Sequence, residues 1–354
     1  MISLQGLEVE RLNNEQPILS AVKEHPWENE VVFNPACVLL EDRAEIGRVI
    51  NALHLAPDLE KSMMVHDSVC VLIYRAQGAF TEADDYRRSR LGFALLSPTL
   101  QLLYRHPEPI IVPENDYESR GVEDPRIMRV DDKYLMFYTG YCSVGKSQNE
   151  SMSDGKTNVC FAVSNDLVNW EKKGILKGNL NDVNNKDTVL FPKKIFGKYC
   201  LLHRPAEGID PLTIHIAYSD SVFGEWIDHG TVMSVIDVRN FTKSWIGAGA
   251  PPLQIGENKF LILYHTGHNK ADGGKEYDLG ICTATFDNDR NFFITERIEP
   301  LMKPRTRGEI EGNKSLGVNN VVFVCGAYFY DNYLYFPYAG ADTVILGGRI
   351  KIDP

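Results

Sequence analysis

The residues best suited to chemistry in this sequence lie in the stretch Arg120-Gly121-Val122-Glu123-Asp124-Pro125-Arg126. Two adjacent carboxylates stand between two arginines, and the proline disfavours a helical conformation at the residue before it. Charges of both signs packed this closely shift one another's pKa values, so one carboxyl can stay protonated while its neighbour is ionised. The pattern fits a general acid, and it also fits a structural ion pair that closes a turn.

This stretch opens the first of four segments that share one pattern. In each segment a short apolar strand is followed by a polar turn and then by a strand rich in aromatic residues. Alternating apolar residues follow each segment, and two of these second units end at a tryptophan, Trp170 or Trp226. The four segments are 124–141, 191–205, 250–268 and 324–342, and a less regular copy begins near residue 33.

Five copies of two hairpins predict an all-β fold, a five-bladed β-propeller formed by residues 1–354 as a single domain. A β-sandwich would not explain why the same unit returns in order. Residues 44–53 have the apolar spacing of a helix, which predicts a short helical insertion in the first blade at about 44–66. Such a helix suits a lid or a partner-contact surface. The polar stretch 145–157 is expected to be a mobile loop.

Composition narrows the class of partner. The formal net charge of −11 argues against nucleic acid, because that recognition depends on Lys and Arg at phosphates. The seven cysteines include no C-x-x-C pair, so neither a disulfide framework nor a zinc site is predicted. The sequence contains no signal-peptide pattern and no apolar run of membrane-spanning length. We therefore expect no membrane partner and a cytoplasmic location, or a periplasmic one if a leader had been removed.

In a propeller the first strands of all blades line the central channel, so the residues that open them converge on one pocket. These residues are unusually polar here. A ring of carboxylates, guanidinium groups, imidazoles and phenols suits a sugar, whose hydroxyls need directional donors and acceptors. A metal site is the weaker alternative, since no H-E-x-x-H motif or His/Cys cluster occurs, and a G-x-S-x-G nucleophile motif is also absent. The polar candidates are Asn34, Arg75, Asp124, Arg126, Lys186, Asp187, His203, Arg204, His265, Glu276, Tyr277 and Asp342.

Four motifs in order resemble glycoside hydrolase family 130. They are Gly121 to Arg126, Asn185 to Pro205, Ile246 to Pro252 with His265, and Gly340 to Thr343. The resemblance implies inverting cleavage of β-mannosidic linkages in manno-oligosaccharides, by phosphorolysis in most members and by hydrolysis in some. It implies no cofactor, only inorganic phosphate as the co-substrate of a phosphorylase.

The resemblance also implies roles for individual residues. Asp124 would be the general acid, delivering its proton through the 3-hydroxyl of the mannose. Asn34, Arg75 and Asp342 would hold the sugar. We expect Arg126, His203, His265 and Glu276 to contribute to substrate binding as well.

The family's phosphate-binding positions are matched less completely. Lys186, Arg204 and Tyr277 would bind phosphate, but Asp210 and Trp245 stand where family members carry a histidine and a cation. A phosphate dianion in a partly dry cavity needs several converging cations, so these exchanges slightly favour hydrolysis, with β-1,2 linkages as the expected substrate.

An inverting hydrolase needs a carboxylate base about 6.5–9.5 Å from the acid. The candidates are Asp210, Glu207 and Glu276. Phosphorolysis that releases mannose 1-phosphate is the alternative, and a non-catalytic carbohydrate-binding propeller is an alternative of another class. The expected partner is a β-linked manno-oligosaccharide, and the sequence leaves a homo-oligomer open.

Overall fold

The computed structural model of the protein describes residues 3–80, 88–143, 155–206, 212–236, 241–313, 316 and 318–352. Two of the expected catalytic carboxylates, Glu207 and Asp210, lie outside these ranges, as do residues 145–154 of the expected loop. Residues 155–157 of that loop belong to the start of a strand.

The described chain folds into five small antiparallel sheets that follow one another along the sequence. Four are built from strands that are consecutive in the chain, and the fifth also includes the N-terminal strand. Polar turns join most of the strands, whose apolar residues face the neighbouring sheets. The first blade contains β2 (Val31–Leu40), β3 (Val69–Gln77), β4 (Arg90–Leu96) and β5 (Leu102–Arg105). The second contains β6 (Gly121–Val130), β7 (Lys133–Ser143), β8 (Gly155–Ser164) and β9 (Glu171–Ile175). The third contains β10 (Asn185–Leu190), β11 (Tyr199–Pro205), β12 (Ile214–Ser219) and β13 (Ile227–Met233).

The last two blades each have five strands. The fourth contains β14 (Phe241–Ala248), β15 (Leu253–Gln254), β16 (Lys259–Lys270), β17 (Lys275–Phe286) and β18 (Phe292–Met302). The fifth contains β19 (Val322–Val324), β20 (Tyr328–Tyr330), β21 (Tyr333–Gly340), β22 (Val344–Lys351) and the N-terminal strand β1 (Val9–Arg11). Because β1 pairs with β22, the two ends of the chain share one sheet. Neighbouring blades contact one another all the way round, and the fold is the predicted five-bladed β-propeller.

The hydrophobic core is divided into layers between adjacent blades. One layer joins blades 1 and 2 through Phe93 and Met136, and another joins blades 2 and 3 around the fully buried Trp226. Further layers lie between blades 3 and 4, 4 and 5, and 5 and 1. Each blade therefore depends on both neighbours for the burial of its two faces.

Helices are few in the described ranges. The helices α1 (Arg43–Ala52) and α2 (Pro57–Met63) form the expected insertion between β2 and β3, and α3 (Arg307–Ile310) precedes blade 5. Single 3-10 turns occur at Asn13–Glu15, Asp116–Glu118 and Asn179–Asn181. None of the helices described here is long and apolar enough to cross a membrane.

The helical insertion joins one particular end of the first hairpin. Leu40 pairs with Val69 where the chain leaves for α1 and returns from α2, whereas Phe33 pairs with Arg75 at the opposite end. The apolar face of α1, including Ile46 and Ile50, packs on the core between blades 1 and 2. The insertion therefore lies at the end of the blade away from Arg75.

Candidate active site

A polar cavity of about 180 Å³ opens at the end of the channel where Arg75 lies. It collects side chains from all five blades and from the segment before β19. Its lining residues are Asn34, Arg75, Asp124, Lys186, Asp187, Arg204, His265, Tyr277, Val321, Phe323 and Asp342. Because the helical insertion lies at the other end of blade 1, its interpretation as a lid is not supported for this cavity.

Four of the lining residues share an uncommon backbone conformation. Asn34, Asp124, Asp187 and Asp342 have φ angles of 46°, 51°, 57° and 48°. Asn and Asp tolerate this left-handed region better than other residues with a side chain. The first three lie in β-bulges of the innermost strands β2, β6 and β10, where the register shifts by one residue. The bulges turn the three polar side chains into the cavity.

The conformation of Asp124 was not predicted from the sequence, where the following proline indicated only that a helical conformation is disfavoured. Asp124 is held in the left-handed region within the bulge between Glu123 and Arg126. Strained backbone of this kind is concentrated at functional sites, because the surrounding structure must enforce it.

The carboxylate of Asp124 is tightly held. It accepts hydrogen bonds from Asn34 Nδ2 at 2.6 Å and from Arg75 Nη1 at 2.9 Å. Burial acts to raise its pKa, but the positive charges of Arg75, Arg126 and Lys186 outweigh burial and lower it below the usual value. Asp124 is therefore ionised in the ligand-free site.

Glu123 connects two cations behind Asp124. It accepts a hydrogen bond from Arg75 Nη2 at 2.6 Å, and its other oxygen lies 3.2 Å from Lys186 Nζ. Arg75 also donates from Nε to Ser89, so all three of its nitrogens are engaged. Arg75 thus acts mainly as a fixed support for the two carboxylates.

Asp187 forms a second buried charge cluster. Its carboxylate accepts from Arg204 Nε at 2.6 Å and from Arg126 Nη2 at 3.1 Å, and it lies 3.6 Å from His265 Nε2. Burial opposes its ionisation, but these cations lower its pKa strongly. A Cβ at Gly247 would lie 2.3 Å from Asp187 Oδ2, so the cluster requires glycine there.

His265 and Tyr277 form the wall contributed by blade 4. Burial is the main reason that the pKa of His265 falls to about 3, so its imidazole is neutral. Burial also raises the pKa of Tyr277, which keeps its hydroxyl protonated as a donor. Trp245 packs edge-on against Tyr277 with ring centroids 5.3 Å apart, and it stands behind the cavity wall.

Three expected substrate-binding residues do not line the cavity. Arg126 lies beneath it, donating to the main-chain oxygen of Asp124 at 2.8 Å and to Asp187. His203 and Glu276 are the strand neighbours of Arg204 and Tyr277. Since side chains alternate between the two faces of a strand, His203 and Glu276 point away when those neighbours point inward. Direct sugar contacts by these three residues are not supported by their positions.

His203 belongs instead to a polar group with His215 and Asp228. Within the described ranges these are the only three ligand-type side chains close enough to share a metal ion, with all ligand atoms within 4.8 Å. However, Asn185 Nδ2 donates both to Leu180 O and to His203 Nδ1. Because Nδ1 of His203 accepts this bond, the proton of the neutral ring is on Nε2, which lies 3.4 Å from Asp228. A metal ion between His203 and Asp228 would need a lone pair on that nitrogen instead. The group therefore fits a hydrogen-bonded support for β10 and β11 better than a metal site.

Two residues of the site received no role from the sequence. Asp187 was among the polar candidates but had no assigned role, although it organises Arg126, Arg204 and His265. Phe323 was not considered, yet its ring lies 4.3 Å from that of His265. The position of Asp187 could have indicated its role. It lies in the first strand of blade 3, as Asn34 and Asp124 lie in the first strands of blades 1 and 2.

The fold and cavity define a class of protein, a five-bladed propeller with a central cavity lined by carboxyls and cations from all five blades. Comparison with known proteins identifies the family. The family model described as Glyco_hydro_130, beta-1,4-mannooligosaccharide phosphorylase, matches residues 58–353. The chain belongs to glycoside hydrolase family 130.

The similarity extends over nearly the whole chain. A 1,2-beta-oligomannan phosphorylase from Thermoanaerobacter sp. (strain X514) is 31% identical over 96% of this chain and 96% of its own length. A beta-1,2-mannobiose phosphorylase from the same organism is 33% identical over 95% and 94%. The structure of the beta-1,2-mannobiose phosphorylase from Listeria innocua shares the fold, with a TM-score of 0.69, 20% identity, and coverage of 97% and 96%.

Proposed function

We propose that this protein cleaves β-1,2-mannosides by phosphorolysis, transferring the mannosyl group to inorganic phosphate and releasing mannose 1-phosphate. Membership of glycoside hydrolase family 130 makes it an enzyme that acts on β-mannosides. The observation that carries the proposal is the convergence of Lys186, Arg204 and Tyr277 on the cavity that also contains Asp124.

The cations of the cavity retain capacity for a phosphate dianion. Arg204 uses only Nε to bind Asp187, and its two terminal nitrogens make no hydrogen bond with other residues in the described ranges. Lys186 Nζ has one bond at 3.2 Å, to Glu123. Two cations and the protonated hydroxyl of Tyr277 offer the charge-assisted donors that a tetrahedral anion requires.

Two buried atoms in the cavity lining mark places for a ligand. Asn34 Oδ1 and His265 Nδ1 have no hydrogen-bond partner among the described residues. Buried polar atoms are seldom left without a partner. Asn34 Oδ1 can only accept, so it is suited to a hydroxyl of a bound sugar, whereas His265 Nδ1 can pair with a sugar hydroxyl or with an oxygen of the phosphate.

The proposed reaction inverts the configuration at the anomeric carbon. An oxygen of hydrogenphosphate forms the new bond to that carbon while the bond to the leaving oxygen breaks. Asp124 supplies a proton to the leaving oxygen, and the proton of hydrogenphosphate restores Asp124. A bound dianion near Lys186 offsets the cation that lowers the pKa of Asp124, so phosphate binding favours the protonated acid that the reaction needs.

The sequence-based preference for hydrolysis is not supported. It relied on a cation lost at Trp245 and a carboxylate gained at Asp210. Trp245 packs against Tyr277 and is not among the residues that line the cavity, and Asp210 lies outside the described ranges. Glu276 is ion-paired with Lys303 away from the cavity. Asp187, which does line it, is too weak a base because its pKa is strongly lowered. The named relatives are phosphorylases.

The test is incubation of the purified protein with β-1,2-mannobiose, with and without inorganic phosphate. We expect phosphate-dependent consumption and mannose 1-phosphate, and equal release of free mannose without phosphate would contradict the proposal. β-1,4-Mannobiose serves as the comparison substrate for linkage.

A single variant tests the phosphate site. We expect Arg204→Gln to raise the KM for phosphate about 10- to 100-fold, since a charge-assisted hydrogen bond contributes about 1.5–3 kcal/mol. Its dissociation constant for mannobiose should change less than about threefold. Arg129→Gln is the matched control, because Arg129 is an exposed arginine that pairs with Glu45 of α1 at the end of β6 away from Asp124. Equal effects of Arg204→Gln on both ligands would show that Arg204 supports the whole site instead.

A further inference from the structure

The charges around the cavity are almost fully paired, with one exception. Within the described ranges, four cations and four carboxyls make up the wall and the layer beneath it. The cations are Arg75, Arg126, Lys186 and Arg204, and the carboxyls are Glu123, Asp124, Asp187 and Asp342.

Every one of these cations is bound to a carboxylate other than Asp342. Arg75 is shared by Glu123 at 2.6 Å and Asp124 at 2.9 Å. Lys186 binds Glu123, while Arg126 and Arg204 both bind Asp187. Asp342 makes no hydrogen bond or ion pair with any residue in the described part of the chain, although it lines the same cavity.

The surroundings of Asp342 therefore favour its neutral form. Burial is the largest cause that raises its pKa, to about 7, and the nearby charges of Asp124 and Glu123 act in the same direction. Arg75 and Lys275 oppose this effect without overcoming it, and Tyr277 faces the same carboxyl as a neutral phenol. Asp342 is partly exposed to the cavity, and a carboxyl that forms no ion pair beside two carboxylates holds its proton more firmly than usual, because a third negative charge there would be repelled.

We propose that Asp342 binds the mannosyl group as a neutral carboxylic acid, donating its O–H to a sugar hydroxyl, and that loss of this proton weakens mannoside binding above neutral pH. The proposal rests on the proposed function, since it takes a β-mannoside as the ligand. Ionised Asp342 would offer only acceptors and would add a negative charge beside Asp124. The affinity for the mannoside should therefore be highest below the pKa of Asp342, where the carboxyl is protonated, and should fall as the pH rises through that pKa.

Asp342→Asn is the informative variant. The amide keeps both a donor and an acceptor, cannot titrate, and suits the φ of 48° at this position.

Mannobiose binding is measured by calorimetry without phosphate at pH about 6 and about 8.5, so that the titration of phosphate itself does not contribute. If only the protonated form binds, the parent protein should lose about 10- to 30-fold in affinity, because pH about 8.5 lies about 1.5 units above the pKa. The variant should bind within about tenfold of the parent at pH about 6 and change less than about threefold between the two pH values. A variant that weakens as much as the parent would overturn the proposal.

A second measurement needs no ligand and separates this proposal from the proposed function. Infrared difference spectra of the free protein between the two pH values should contain the carbonyl band of a protonated carboxyl that disappears near neutral pH. That band should lose intensity in Asp342→Asn, and the part that remains should belong to Asp278. Asp278→Asn is the matched control, because burial raises the pKa of Asp278 to about 6 at a site where it pairs with Lys303. If Asp342→Asn leaves the spectrum of the parent unchanged, the proposal is wrong whatever the enzyme's reaction.

Discussion

Three aspartates in one cavity hold their protons differently because their neighbours differ. Asp187 is bound by two arginines, and its pKa is strongly lowered. Asp124 shares Arg75 with Glu123, and its pKa is lowered. Asp342 has no ion-pair partner among the described residues, and its pKa is raised to about 7. The same side chain can thus serve as an anchor for cations, a general acid or a neutral donor.

Asp124→Asn tests the role of the general acid. The amide has almost the same shape and tolerates the left-handed conformation, but it has no proton to deliver. We expect kcat for phosphorolysis to fall at least about 100-fold, the usual scale of general acid catalysis. Calorimetry should show mannobiose bound within about tenfold of the parent affinity, since binding does not require proton transfer. Activity within a few-fold of the parent would move the role of the acid to another residue, with Glu123 the next candidate.

Among the elements, the innermost strands position the site through their irregularities. Regular strands β2, β6 and β10 would alternate strictly between two faces. The bulges at Asn34, Asp124 and Asp187 break this alternation and place a polar residue in the cavity while the apolar residues on either side stay in the core. The insertion of α1 and α2 is attached at the other end of blade 1 and packs on the core.

Gly47→Ala tests the assigned position of the insertion. Gly47 lies inside α1, and a Cβ there would have Met64 Cε as its nearest neighbour at an ordinary 3.8 Å. Replacing an interior helix glycine with alanine should raise the free energy of unfolding by about 0.5–1 kcal/mol. The kinetic constants should stay unchanged, because α1 lies far from the cavity. Chemical denaturation and steady-state kinetics check both points, and a changed KM would show that the insertion communicates with the site.

For the whole molecule, closure of the ring depends on the N-terminal strand. Strand β1 pairs with β22, so residues more than three hundred positions apart complete blade 5. Arg11 in β1 also binds the fully buried Glu309 of α3 at 2.7 Å, and Tyr338 of β21 donates to the same carboxylate. This buried ion pair joins β1 to the blade through side chains as well as main chain.

Arg11→Ala should therefore destabilise the whole protein. Removing one partner of a buried ion pair leaves the other charge uncompensated, at a cost of about 3–5 kcal/mol in the free energy of unfolding. Arg305→Ala is the control: Arg305 pairs with Glu15 on the exposed surface, and such pairs contribute at most about 1 kcal/mol. Denaturant titration compares the two variants. Equal losses of stability would mean that the ring is not closed through Arg11.

The repeat of hairpins along the sequence was sufficient to predict the five blades, because turn residues and apolar alternation are local signals. The closure by β1 was not predicted, since three residues carry no distinctive pattern and their partner lies at the other end of the chain. In the site, the motif around Asp124 and the polar residues that open the strands could be recognised as candidates from residue type and order alone.

Which of those candidates face the cavity depended on the tertiary structure. Successive side chains in a strand point to opposite faces of the sheet, and one extra residue in a bulge exchanges the two faces for all residues that follow. Arg204 and Tyr277 therefore line the cavity while their neighbours His203 and Glu276 do not. The protonation states could not be read from the sequence either, because they depend on the distances between charges brought together from different blades. The sequence established that carboxyls and cations would meet, and the fold decided that Asp342 is the cavity carboxyl that forms no ion pair with any residue the structure describes.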